Sequence, residues 1–102
     1  MTTAVERNDE RSRYELVIDG DVRGIVRFAA IAAEGEPTVL HISHAEVALD
    51  LRGKGFSEPM VRAALDDVRT RGERVVSTCW YVSSFLGTHP EYADLMAEGS
   101  PS

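Results

Sequence analysis

The segment Asp50-Leu51-Arg52-Gly53-Lys54-Gly55-Phe56-Ser57 runs through Glu58-Pro59 into Met60-Val61-Arg62-Ala63-Ala64-Leu65, and no other stretch limits the fold as tightly. It reads as a strand end, a tight glycine turn and the opening of a helix. The first N–H groups of a helix have no partner inside it, and the macrodipole adds partial positive charge at the same place. Gly53 and Gly55 let the backbone approach a ligand without a Cβ in the way. Arg52 and Lys54 set two cations beside those donors. Together they describe an anion site suited to a phosphate or pyrophosphate.

Two familiar phosphate templates fail on this segment. The dinucleotide fingerprint G-x-G-x-x-G needs glycine at position 58, where Glu58 stands. The P-loop pattern needs glycine at position 48 and Ser or Thr after the lysine, and Ala48 and Gly55 stand there. What remains is Arg-x-x-Gly-x-small, carried by Arg52, Gly55 and Ser57.

Three more motifs flank the turn. His44-Ala45-Glu46-Val47 lies upstream, and Ser77-Thr78-Cys79-Trp80-Tyr81 and His89-Pro90-Glu91-Tyr92 lie downstream. In this order the four resemble a subfamily of very small, single-domain GCN5-related N-acetyltransferase-like proteins, over roughly residues 5 to 96. The resemblance implies a minimal α/β fold of that type: antiparallel strands, then a strand–helix–strand parallel pair, then a C-terminal helix. It implies acetyl-CoA as cosubstrate, with Val47, Arg52, Gly53, Lys54, Gly55, Phe56 and Ser57 holding it. It further implies acetyl transfer to an amine that the sequence does not identify. A non-catalytic acetyl-CoA-binding or sensing module is the alternative.

Charge and cysteine content narrow the partners. Seventeen acidic against eleven basic side chains give a formal net charge of −6, which argues against nucleic acid as the main partner. An acidic surface instead favours a cationic acceptor such as an amine. Cys79 is the only cysteine, so no intramolecular disulfide forms. There is neither an apolar run of ~18 residues nor a signal-peptide layout, so a membrane is not expected as partner and a cytoplasmic location is. Oligomeric state is left open.

Residues 1–12 are polar and aperiodic and read as a flexible arm, 13–97 as the acetyltransferase-like domain, and 98–102 as a tail. Tyr14, Leu16 and Ile18 alternate with Glu15 and Val17 as in a half-buried strand. Asp19-Gly20-Asp21 signals a hairpin turn into a second strand over Arg23 to Ile31, and a third covers about Thr38 to Val47. Val61, Leu65 and Val68 form a helical stripe that Arg71-Gly72 ends. A short strand follows from Arg74 to Cys79, then a helix from Tyr81 to Thr88 and a short helical piece after Pro90.

Three residues are candidates for the chemistry. His44 and Glu46 are two apart on a strand and therefore share a face, as a general base or a base-orienting pair requires. On a regular strand His41 faces the other way and reads as structural. Cys79 ends the neighbouring strand, where a lone cysteine is either a buried, inert small hydrophobe or a nucleophile that carries the group as an acetyl-cysteine. The second role would need a thiolate favoured by the following helix or by His44. Tyr81 and Tyr92 carry phenols able to protonate the departing CoA thiolate, but read better as amphipathic caps of the core, and His89 reads as a helix-end residue. The four Cys and His side chains lack compact metal-ligand spacing, so no metal is expected.

Overall fold

The Asp19-Gly20 turn sets the fold's first feature. Both residues take positive φ (50° and 88°), the requirement of a two-residue hairpin turn that matches strand twist. It joins β2 (Arg13–Ile18) to β3 (Asp21–Ile31). The computed structural model describes residues 2–97, in which β4 (Val39–Val47), α1 (Ser57–Thr70), β5 (Arg74–Ser77) and α2 (Trp80–Thr88) follow. A 3₁₀ turn over Pro90–Leu95 closes the described chain, and the expected tail at 98–102 lies outside it.

The sheet corrects one expectation. Thr3–Asn8, read from its polarity as part of a flexible arm, is strand β1, antiparallel to β2 at the edge of a five-stranded sheet ordered β1-β2-β3-β4-β5. An edge strand buries little side chain, so apolar alternation is absent and only backbone pairing betrays it. Arg7 fastens it from the side. Its guanidinium holds Glu73 at 2.6 and 3.2 Å, donates to the Tyr14 hydroxyl at 3.2 Å, and lies 5.0 Å from the Phe28 ring centre. The Tyr14 hydroxyl in turn donates to Asp67 of α1 at 2.7 Å. Burial opposes the Arg7 charge, but the Glu73 and Asp9 hydrogen bonds outweigh it and raise its affinity for the proton.

Strands β1 to β4 are antiparallel neighbours, whereas β5 runs parallel to β4 after the α1 crossover. Met60, Val61, Ala64, Leu65 and Val68 of α1 are buried, and a side chain of this kind contributes roughly 1.5–3 kcal/mol when fully buried. The helix ends in a Schellman motif: Gly72 takes φ 72°, its N–H reaches Arg69 O at 3.0 Å, and the Glu73 N–H reaches Val68 O at 3.1 Å. Buried residues of α1 and α2 join Tyr14, Leu16, Val26, Phe28, Leu40 and Ile42 in one core cluster. Both helices therefore cover the same face of the sheet. Among the described residues no helix is long and apolar enough to cross a membrane.

A bulge in β4 decides which side chains face that core. Phe28 pairs with Ile42 but Arg27 pairs with His44, so Ser43 is an extra residue on β4. Leu40 and Ile42 face the core before it, and Ala45 and Val47 face the core after it. The expectation that His41 and His44 point oppositely is thereby corrected. Ala29↔His41 and Arg27↔His44 are both pairs of the helix-free face, because the bulge cancels the odd spacing.

Candidate functional site

Beyond the bulge, β4 and β5 part. Their pairing ends at Ile42↔Ser77, with the Thr78 N–H reaching Ile42 O at 3.0 Å, after which the chain turns into α2. Ser43 to Val47 have no strand partner on that edge among the described residues. The Ala48 N–H bonds Arg23 O at 2.7 Å, which makes Gly24↔Val47 a pair that exchanges no direct hydrogen bonds. The backbone groups of Val47, and by alternation those of Ala45, therefore point into the gap. A cleft of about 290 Å³ fills the gap, with Glu46, Val47, Arg52, Ser57, Trp80 and Tyr81 among its walls.

The glycine turn closes one end of this cleft. Leu51 to Lys54 form a turn in which Arg52 is extended (φ −63°, ψ 137°), Gly53 takes φ 78°, and the Lys54 N–H bonds Leu51 O at 3.1 Å. That geometry requires positive φ at its third position, hence glycine. Gly55 takes φ 82°, and a Cβ at either glycine would meet nothing within 4 Å. The space above both is open for a ligand. The first intrahelical bond is Met60 N–H to Phe56 O at 3.2 Å, and Pro59 has no N–H. Among the described residues, the N–H groups of Gly55, Phe56, Ser57 and Glu58 have no acceptor. Four donors and the helix dipole converge there, as anion binding needs.

His44 and Glu46 stand on the helix-free face beside the gap, with Nε2 and Oε1 3.6 Å apart. Cys79 is placed differently. It is the N-terminal cap of α2, only 7 % exposed and packed in the core cluster, and it is not among the cleft walls. Its carbonyl accepts the Ser83 N–H at 2.9 Å and the Ser77 hydroxyl at 3.1 Å.

Tyr81 packs against the core cluster, as its reading as a cap expects, and also lines the cleft. Burial and the nearby Glu58 charge both raise its pKa, so the phenol holds its proton at neutral pH. Tyr92 does cap the core: it is buried and donates to Asp66 at 2.7 Å. His89 stacks on Phe85 at 3.8 Å, and its Nδ1 lies 2.8 Å from the Phe85 carbonyl, so Nδ1 carries the proton and the ring caps α2. Trp80, the only tryptophan, is 80 % exposed at the cleft rim.

Comparison with known proteins agrees with this geometry. A family profile described as GCN5-related N-acetyl-transferase matches residues 13–95. Protein NATD1 of Bos taurus is 35 % identical over 87 residues, spanning 84 % of this chain and 74 % of its own. The Homo sapiens protein of the same name is 31 % identical over the same shares. Among solved structures, a GCN5-like candidate N-acetyltransferase from Staphylococcus aureus superposes with a TM-score of 0.67 at 12 % identity, over 97 % of this chain and 90 % of that one. A ribosomal-protein-alanine N-acetyltransferase from Brucella melitensis biovar Abortus 2308 superposes with a TM-score of 0.56 at 21 % identity, over 88 % and 66 %. At those identities the two structures speak for the fold.

Proposed function

The chain belongs to the GCN5-related N-acetyltransferase family, and from that premise we propose that it binds acetyl-CoA in the β4–β5 gap and passes the acetyl group to an amine. One observation carries the reading: a single cleft has unpaired backbone donors at its turn end, open β4 edge groups along its side, and Glu46 at its rim.

Each part has a distinct task. The N–H groups of Gly55 to Glu58, with Arg52 and Lys54, would hold the pyrophosphate. The free edge of Ala45 and Val47 would pair with the amides of the pantetheine arm, as an added strand would. The Val47 N–H, which points into the gap, would donate to the oxygen of the thioester carbonyl as it gains negative charge. Glu46, with His44 beside it, takes a proton from the attacking amine. The nitrogen lone pair forms the C–N bond, and the C–S electrons leave with the thiolate. Tyr81 returns a proton to that sulfur, giving an amide and CoA-SH. Direct transfer needs no protein nucleophile, and the core packing of Cys79 favours it over an acetyl-cysteine route.

Trp80 supplies the assay. Titration with acetyl-CoA should change its fluorescence saturably, since it stands at the cleft rim. Release of CoA thiol with a panel of amines then reads turnover. Glu46→Gln should lower kcat by about 10²–10⁴ while leaving acetyl-CoA affinity unchanged. No affinity up to millimolar acetyl-CoA would overturn the proposal. Binding without turnover on any amine would leave a sensing module.

A further inference from the structure

Beside the cofactor cleft, on the helix-free face of the sheet, lies a second cleft of about 420 Å³. Its walls include Arg13, Arg23, Arg27 and Arg52, together with Ile25 and Glu46. The two clefts share Glu46, Val47 and Arg52, so the Glu46 carboxylate stands where they meet. We infer that this second cleft receives the acceptor, and that the acceptor is a small amine bearing its own anionic group, a carboxylate or a phosphate, a few carbons from the nitrogen. The inference rests on the acetyl-transfer reading above and assigns its substrate class.

The argument starts from charge. The chain as a whole carries −6, yet four guanidiniums and a single carboxylate, Glu46, line this cleft. Arg23 is held by Asp50 at 2.6 Å, with the Asp21 charge also acting on it, and Arg13 by Glu15 at 2.8 Å. Arg27 and Arg52 have no ion pair among the described residues. An acidic protein has therefore placed an excess of guanidiniums on the wall beside the candidate base. With Arg52 engaged by the pyrophosphate in the reading above, Arg27 is the one left without an ion pair among the described residues.

Strand register makes that excess harder to dismiss as surface decoration. Arg13 is the direct cross-strand partner of Arg27, and Arg27 is the direct partner of His44. Like charges opposite one another on a sheet face destabilise it. Nothing in the core requires this row, because all three side chains project from the face without helices. A bound oxyanion relieves the repulsion and completes the hydrogen bonding of Arg27, which a guanidinium does in bidentate fashion.

Spacing sets the size of the acceptor. Glu46 pairs with Ile25, two residues along β3 from Arg27, so it is the diagonal neighbour of Arg27, at a separation near ~7–8 Å. An amine at Glu46 and an anion at Arg27 thus belong to one short molecule. Ile25, only 9 % exposed, and the side chain of Leu49, 77 % exposed, give the same cleft an apolar wall for its carbon body. Compositional charge alone pointed to a cationic acceptor, and the local field reverses that expectation.

Two measurements test the inference with the full chain. In the first, ¹H–¹⁵N spectra follow the Arg13 and Arg27 side-chain Nε–H signals with acetyl-CoA at saturation, while inorganic phosphate or acetate is added. A saturable shift at Arg27, lost in Arg27→Gln, is expected, and the stronger of the two probes identifies phosphate or carboxylate as the group bound. In the second, CoA release compares amino acids with their amides, and aminoalkyl phosphonates with the matching amino alcohols. The anionic member of the preferred pair should show kcat/KM higher by about ten- to hundredfold, the size of one charge-assisted hydrogen bond, and Arg27→Gln should erase that preference. Absence of any saturable shift at Arg27, or preference for polyamines and neutral amines, would overturn the inference. Weaker acetyl-CoA binding in Arg27→Gln with an unchanged acceptor preference would also overturn it, by giving the cleft to the cofactor's own phosphates. A protein that fails to bind acetyl-CoA but still shows the phosphate shift would sink the transferase reading and leave the anion site standing.

Discussion

Replacing Gly24 by alanine is a substitution whose sign the structure decides. Where a glycine site accepts alanine, the change stabilises a protein by about 0.4–1 kcal/mol, because the unfolded chain has less freedom to lose. Contact opposes that gain at Gly24. A Cβ there would lie 2.9 Å from Met60 Sδ, 3.1 Å from the Glu46 carbonyl oxygen and 3.2 Å from Leu16 Cβ. Met60 and Leu16 are fully buried, so neither has space to retreat into, and the Glu46 carbonyl belongs to the β3–β4 ladder. Inserting a methyl group into such a site costs about 1–3 kcal/mol. The net loss is then roughly 0–2.6 kcal/mol, about 1.3 at the midpoints, and each kcal/mol lowers Tm by about 4–8 °C in a domain near this size. Thermal unfolding followed by far-ultraviolet circular dichroism measures it. Met60→Ala removes the nearest obstacle, so the double variant should lose less than the two single losses added together. A Gly24→Ala protein that melts at or above the wild-type temperature would refute the reasoning.

Three other substitutions bear on the site and the scaffold. Gly55→Val should remove acetyl-CoA binding while the fold persists at a cost of about 1–2 kcal/mol for the left-handed backbone; Gly20→Val, equally strained at φ 88° but remote, should match the stability loss and keep the affinity. Cys79→Ala should retain amine acetylation, with no acetyl group on the Cys79 peptide of the wild type by mass spectrometry; an acetylated peptide together with an inactive variant would restore the covalent route. Asp67→Asn should flatten the acid limb of the stability curve. Burial works against the Asp67 charge, but the Tyr14 hydroxyl and the Arg71 guanidinium outweigh it and hold its pKa below the usual range. The folded value lies below the unfolded one, so this stabilisation is present above about pH 4 and is lost as pH falls through the lower folded value. Parallel curves for variant and wild type in urea titrations between neutral and acid pH would count against that assignment.

Local signals made most of the scaffold legible. The Asp19-Gly20 hairpin, the Val61-Leu65-Val68 stripe, the Gly72 cap and the parallel crossover all follow from residues close together in the chain. The glycine turn was readable for the same reason, since positive φ at Gly53 and Gly55 is a property of the residue itself. What escaped depended on partners far away in sequence. Strand β1 is recognisable only once β2 offers it a ladder and Glu73 lies beside Arg7. The arginine row is likewise invisible until register sets Arg13 against Arg27 and Arg27 against His44. Cys79 reads in the sequence equally as a strand-end nucleophile and as a buried small hydrophobe; β5 stops at Ser77, and the turn into α2 carries it into the core.

The extra residue at Ser43 makes β4 a sequence read in two phases. Upstream of it even-numbered positions fill the core, and downstream odd-numbered ones do. The identity of the side chain there matters little, since it is exposed; the extra residue bends the strand just where β4 parts from β5. Deleting Ser43 would leave Ile42, His44, Ala45, Glu46 and Val47 in plain alternation, so His44 and Glu46 would still face outward and Ala45 and Val47 the core. What the deletion would take away is the bend at the point where β4 leaves β5, and with it the shape of the gap. Alignment of a distant relative to this strand therefore has to place a one-residue gap at the bulge and leave the residues beyond it where they are.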